Sequence, residues 1–124
     1  MVAVYTQAGE EFLVDILDGT LTIVLDGTAR PFVAMGTGAV APAKGDTALG
    51  AETPEARGLA ADSQPAADKN QWVGTITATA ARAITEAGLL TESAVGVLIM
   101  RDTFTVINLA TNDKLEITAS LEQT

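Results

Sequence analysis

Hydrophobic and polar positions change rhythm along this chain, and the first rhythm is helical. In "TQAGEEFLVDILDG" Phe12, Leu13, Ile16 and Leu17 share one face of a 3.6-residue turn, and Glu10, Glu11, Asp15 and Asp18 take the other. Thr6 is placed to cap the start, the early glutamates suit the positive end of the dipole, and Gly19 is a natural stop. The pattern predicts one short helix with its apolar stripe on a sheet.

From residue 20 the period becomes two. Leu21, Ile23 and Leu25 alternate with Thr22, Val24 and Asp26, and Asp26-Gly27 reads as a hairpin turn. Pro31 cannot donate to a ladder and belongs at the start or edge of the returning strand. In "QWVGTITATAARAITEAGLL" Trp72, Ile76, Ala78 and Ala80 alternate against Val73, Thr75, Thr77 and Thr79, with Gly88 as punctuation. "AVGVLIMRD" is apolar on both sides, as in a strand buried on both faces. "TFTVINL" follows it, "ATND" makes a turn, and in "KLEITASLE" Leu115, Ile117, Ala119 and Leu121 point inward. The last two runs are expected to pair as a hairpin. Residues 39–70 hold Pro42, Pro54 and Pro65 and little periodicity. They read as a loop far longer than the usual ~4–6 residues, broken at most by a short element near Leu49 or Leu59.

The expectation is one domain over residues 1–124, with an N-terminal arm (1–6) and a long loop (39–70). Its fold class is mainly β: an antiparallel β-sandwich or jelly-roll-like domain of about seven strands with one short N-terminal helix.

Composition narrows the chemistry. Apolar residues make up 48% of the 124 but aromatics only 4%, so the core is built mostly from Ala, Val, Ile and Leu. The chain has no cysteine, which excludes disulfides, thiolate metal sites and cysteine nucleophiles. It has no histidine, which removes the usual general base and the commonest transition-metal ligand. No enzyme activity and no cofactor are expected; a hydrolase here would rest on two facing carboxylates, one with a raised pKa. Seven basic against 16 acidic residues give a net charge of −9, the wrong sign for a nucleic-acid partner. No apolar run approaches the ~20 residues that span a bilayer, and "MVAVYTQAGEE" lacks the build of a signal peptide, so neither membrane nor export is expected.

"FVAMGTGAVAPAKGD" has the letters of a dinucleotide fingerprint, but that fingerprint needs a helix after its glycines, and Pro42 and Gly45 stand in the would-be first turns. Lys44-Gly45 reverses the order required of a triphosphate loop. Gly36 and Gly38 therefore read as a structural turn ending a strand, where the backbone needs positive φ or a close approach. Among carboxylates, Asp15, Asp18, Glu52, Glu55, Asp62, Asp68 and Asp102 match no calcium-loop spacing, and no metal site is expected. One Trp and one Tyr make a poor sugar-stacking cleft for a glycosidase. Glu86 lies between apolar residues and needs a cation if buried; Arg82, Arg101 and Arg57 are the choices. Glu52, Arg57, Glu86 and Arg101 are the ion-pair candidates. Val2, Val4 and Tyr5, in the apolar "MVAVY", are the interface candidates.

A set of segments then carries a resemblance. "GTG…P…GDTALGAE…R", "ITEAGLL" and "VLIMRDTF" supply Gly36, Thr37, Gly38, Asp46, Thr47, Leu49, Glu52, Arg57, Ile84, Thr85, Glu86, Gly88, Leu89, Arg101 and Phe104. Together they resemble small structural proteins of tailed bacteriophages, most like capsid decoration (cement) proteins. The resemblance spans roughly two-thirds of the chain, and the short polar stretch between Arg57 and Trp72 departs from it. It implies a virion component, assembled in the bacterial host cytoplasm, that stabilises the outer capsid surface. The implied partner is the major capsid protein and the implied assembly a homotrimer; a terminal arm or strand edge would pair with neighbours by β-augmentation, with "MVAVY" and the long loop of residues 39–70 as the two candidates. A tail-fibre or collar attachment protein is the alternative.

Overall fold

The computed structural model describes residues 3–122. In chain order the elements are β1 (Val4–Tyr5), α1 (Gln7–Asp18), β2 (Phe32–Gly36), β3 (Gly58–Leu59), β4 (Ala61–Ala66), β5 (Lys69–Thr77), β6 (Arg82–Leu90), β7 (Leu98–Leu109) and β8 (Lys114–Glu122). They make a mainly β domain of two antiparallel sheets with one short helix near the N-terminus. The larger sheet runs β1-β7-β6-β2-β3 and the smaller β4-β5-β8.

Burial of the two facing rows holds the sheets together. Val33, Met35, Ile84, Leu89 and Met100 come from the larger sheet, and Trp72, Ile76 and Ala119 from the smaller, and they form one buried cluster. Each fully buried aliphatic of this kind contributes about 1.5–3 kcal/mol. The alternations in β5 and β8 appear as expected, with Trp72 and Ile76 buried and Leu115, Ile117, Ala119 and Leu121 on the inner side.

Helix α1 begins and ends where its capping residues put it. The extended Thr6 accepts the Gly9 N–H on its Oγ1 at 3.0 Å, and Gly19, left-handed at φ 82°, donates to Ile16 O at 3.1 Å. The Thr6 hydroxyl also lies against the carbonyls of Leu98 and Ile99, so the cap docks the helix on β7. A Cβ on Gly9 would stand 2.6 Å from Ile99 O, so this glycine permits the close approach. The docked row runs through Gly9 and Phe12, and Leu17 falls off it, 78% exposed rather than on the packed stripe.

Several expectations are corrected. Residues 21–25 form no strand, although Leu21, Ile23 and Leu25 still turn to the half-buried side. β2 is already flanked by β3 and β6, which leaves no ladder for them. Asp26-Gly27 makes a tight turn, with Gly27 donating to Arg30 O at 2.8 Å, but it closes no hairpin. The stretch 39–70 is not one loop, because β3, β4 and the start of β5 lie inside it. β4 is exposed throughout and contains Pro65, so it gives no apolar rhythm to read. Gly88 is internal to β6 rather than punctuation.

The chain from Leu98 to Leu109 is one strand, and it does not pair with β8 as a hairpin. The "ATND" turn carries the chain between sheets, so β7 pairs with β6 and β8 with β5. The 1–6 arm is not free over its described part: Val4 pairs with Arg101 and Tyr5 with Met100, as an edge of the chain's own sheet. Val2, the third interface candidate, lies outside the described residues.

Candidate functional site: a carboxylate cage under the long loop

The residues singled out by sequence converge on the outer face of β6 and β7. Glu86 is completely buried near the middle of β6. Its Oε2 accepts the N–H of Gly38 and of Ala51, each at 2.7 Å, and its Oε1 accepts the N–H of Gly50 at 2.8 Å and Arg101 Nε at 3.0 Å. Arg101, 3% exposed, uses its other nitrogens on Asp46 Oδ2 at 2.9 Å and Val40 O at 2.8 Å. One ion pair in the sheet thus gathers five residues of the irregular segment that follows β2: Gly38, Val40, Asp46, Gly50 and Ala51.

Gly36 and Gly38 explain how the carboxylate fits. A Cβ on Gly36 would lie 2.5 Å from Glu86 Oε2, and one on Gly38 would lie 2.4 Å from it. Neither glycine has positive φ, so close approach is the operative half of the expectation. Gly36 ends β2, and no helix starts at Ala39. The loop is stitched further: Thr37 donates to Ala51 O at 2.9 Å, Thr53 to Met35 O at 3.0 Å, and the Thr85 hydroxyl to Gly38 O at 2.8 Å. Gly88 leaves room for Leu49, whose Cδ2 would be 2.8 Å from an added Cβ.

The second expected pair also forms. Arg57 grips Glu52 with two hydrogen bonds of 2.8 Å and donates to Glu92 O and Val95 O at 2.8 and 2.9 Å. It thereby ties the loop to the turn between β6 and β7. Sequence reading did not assign the third pair. Glu55, buried, accepts Arg82 Nε at 2.9 Å and the Thr79 N–H and hydroxyl at 3.0 and 2.9 Å. Of the three cations that could face Glu86, Arg101 takes the place, and Arg82 serves Glu55 instead. Asp46 joins the cage as a further ion-pair partner, and its separation of 55 positions from Arg101 carries no local signal in the sequence.

These contacts decide the electrostatics. Burial pushes the Glu86 carboxyl up, but the N–H groups of Ala51 and Gly50, the Arg101 guanidinium and the Gly38 N–H outweigh it and hold the group below its ordinary value. Glu55 follows the same pattern: burial opposes the charge, yet Thr79, Arg82 and Thr53 bring it down to about 2. For Arg101, burial works against the charge and the carboxylates of Glu86 and Asp46 more than offset it. Both buried glutamates are thus held as carboxylates, and Glu86 has its acceptors engaged. Chemically, the cage positions backbone. Among the described residues no group of three or more His, Cys, Asp or Glu side chains could hold a metal ion, and no helix is long and apolar enough to cross a membrane.

Comparisons with family models, curated proteins and solved structures find no match.

Proposed function

We propose that the chain is a structural protein of a tailed-bacteriophage virion that binds and stabilises the outer surface of the capsid. The observation that carries the reading is the convergence of the resembling residues. Gly36, Gly38, Asp46, Glu86 and Arg101 meet in one cage, Leu49 packs on Gly88, and Glu52 pairs with Arg57. The resemblance therefore falls on a device that fixes the shape of a surface loop. A fixed loop suits docking, because no ordering entropy is lost at the moment of contact. Val40 shows the principle: Arg101 holds its carbonyl, while the residue is 77% exposed.

The partner in this reading is the major capsid protein. Binding only to the assembled shell stabilises that state by linkage, about 2.7 kcal/mol per site at a hundredfold excess over Kd. The net charge of −9 keeps the chain off the packaged nucleic acid. Immunogold labelling of virions with an antibody to this chain tests the proposal. Label on the head is expected. Label on the tail or collar would move the reading to an attachment protein, and virions without label would overturn both.

A further inference from the structure

The two sheets end unevenly. β5 contacts β2 and β3, and β8 contacts β6, but among the described residues no strand of the smaller sheet lies beyond β8, while the larger sheet continues with β7 and β1. The result is a groove of about 260 Å³ beside β8, with Leu89, Met100, Phe104, Leu115, Ile117 and Ala119 in its lining. Consecutive residues 115–120 border it, so the backbone edge of β8 faces the groove.

That edge lacks the protection the others have. β4 carries Pro65 and a register shift between Ser63 and Ala66, β1 and β3 are two residues long, and β7, open beyond the two residues that β1 covers, is broken by a register shift opposite Ile84 and Glu86. β8 has nine residues, no proline and an unbroken register with β5. Long regular edges of this kind invite another strand.

We propose that the occupant is β8 of a second copy of this chain, paired antiparallel about a twofold axis at Thr118. In that register Lys114 faces Glu122, Leu115 faces Leu121, Glu116 faces Ser120 and Ile117 faces Ala119, each pair occurring twice. Opposite charges meet at both ends, apolar residues meet on the inner row, and no like charges are opposed. The neighbouring registers that keep the inner row inward are worse. Centring on Ala119 sets Glu116 against Glu122 twice, and centring on Ile117 sets Lys114 against Ser120 and loses both ion pairs. The pairing makes one continuous six-stranded sheet and lays the inner rows of the two copies over the grooves. The threefold assembly implied by the resemblance needs two different surfaces per copy, whereas this edge is complementary to itself.

One atom opposes the closure. Asp102 borders the groove, and its Oδ1 is buried without a hydrogen-bond partner among the described residues. Covering it with an apolar row removes it further from water, so its charge weakens the dimer. The inference stands apart from the capsid reading and is tested without any capsid.

Sedimentation equilibrium on the full chain decides it, with circular dichroism as a check on folding. The unaltered chain is expected to be a dimer in the micromolar range. Lys114→Glu places glutamates opposite each other at both ends and should weaken the dimer by about tenfold or more. The double swap Lys114→Glu with Glu122→Lys should restore it, a rescue that another register or another surface does not give. Asp102→Asn should tighten it severalfold. A monomer, a trimer, or a dimer indifferent to Lys114→Glu or not rescued by the swap would overturn the proposal.

Discussion

Glu86 is held almost entirely by atoms that a substitution at another position leaves in place. Three of its four donors are backbone N–H groups and one is Arg101. Glu86→Gln keeps the shape but leaves Arg101 with only the partly exposed Asp46 as counter-charge and sets an amide N–H₂ against those N–H donors. Breaking a buried pair in this way costs about 3–5 kcal/mol, to be read from urea denaturation. Gly38→Ala keeps every donor and acceptor but puts a methyl 2.4 Å from Glu86 Oε2, against a carboxylate with no room to retreat. A loss of about 1–3 kcal/mol is expected; a neutral result would show that the cage yields. The pH dependence follows from the same contacts. Glu86 and Glu55 both hold carboxyls lower in the fold than in the unfolded chain, so above the unfolded value they stabilise in full. For Glu55 that contribution is present above pH 4.5 and lost progressively as the pH falls to about 2. Denaturation midpoints measured down that range should fall steadily, and Glu55→Gln should flatten part of the slope while lowering stability at neutral pH.

At the scale of elements, the helix shows what sequence makes legible. Its start and stop depend on Thr6 and Gly19, whose local chemistry needs no tertiary partner, and both act as read. What could not be read is the second task of Thr6, since Leu98 and Ile99 are distant in sequence. Thr6→Val should therefore cost more than a lost cap alone, about 2–3 kcal/mol against the ~1 kcal/mol typical of a cap. It should also speed amide exchange in α1 more than in β6; equal loss in both would mean that helix and sheet open together. The same division explains the strands. β5 and β8 have one wet face and one dry face, so period two betrays them. Residues 21–25 have that period without being a strand, because their side chains pack inward and the Leu25 carbonyl accepts the Trp72 Nε1–H at 3.0 Å while no neighbour offers a ladder. Period two reports which side is dry and says nothing about pairing. β4 shows the converse, paired but wet on both faces, and so invisible. The β7–β8 connection misleads for a related reason: a short turn between alternating runs looks the same whether it closes a hairpin or crosses between sheets.

For the whole molecule, the question is whether residues 37–53 behave as loop or as core. They have almost no regular secondary structure, and exposed residues dominate them, which by itself predicts early opening and fast exchange. Yet they are fastened to two interior strands of the larger sheet: Glu86 on β6 takes the amides of Gly38, Gly50 and Ala51, and Arg101 on β7 takes Val40 O and Asp46. To release any one of those amides the fold must leave part of a fully buried carboxylate unpaired, a cost of the same order as losing the ion pair itself. The segment should accordingly open with β6 and β7 rather than before them. Native-state hydrogen exchange across low urea concentrations reads this directly. The amides of Gly38, Gly50 and Ala51 are expected to exchange with the same free energy as Leu89 in the strand below, and all of them to converge on the global unfolding value. Exchange of these three at the rate of an open loop, with Leu89 still protected, would show that the cage forms contacts without coupling. The surface proposed for docking would then be a mobile one, ordered only when its partner arrives.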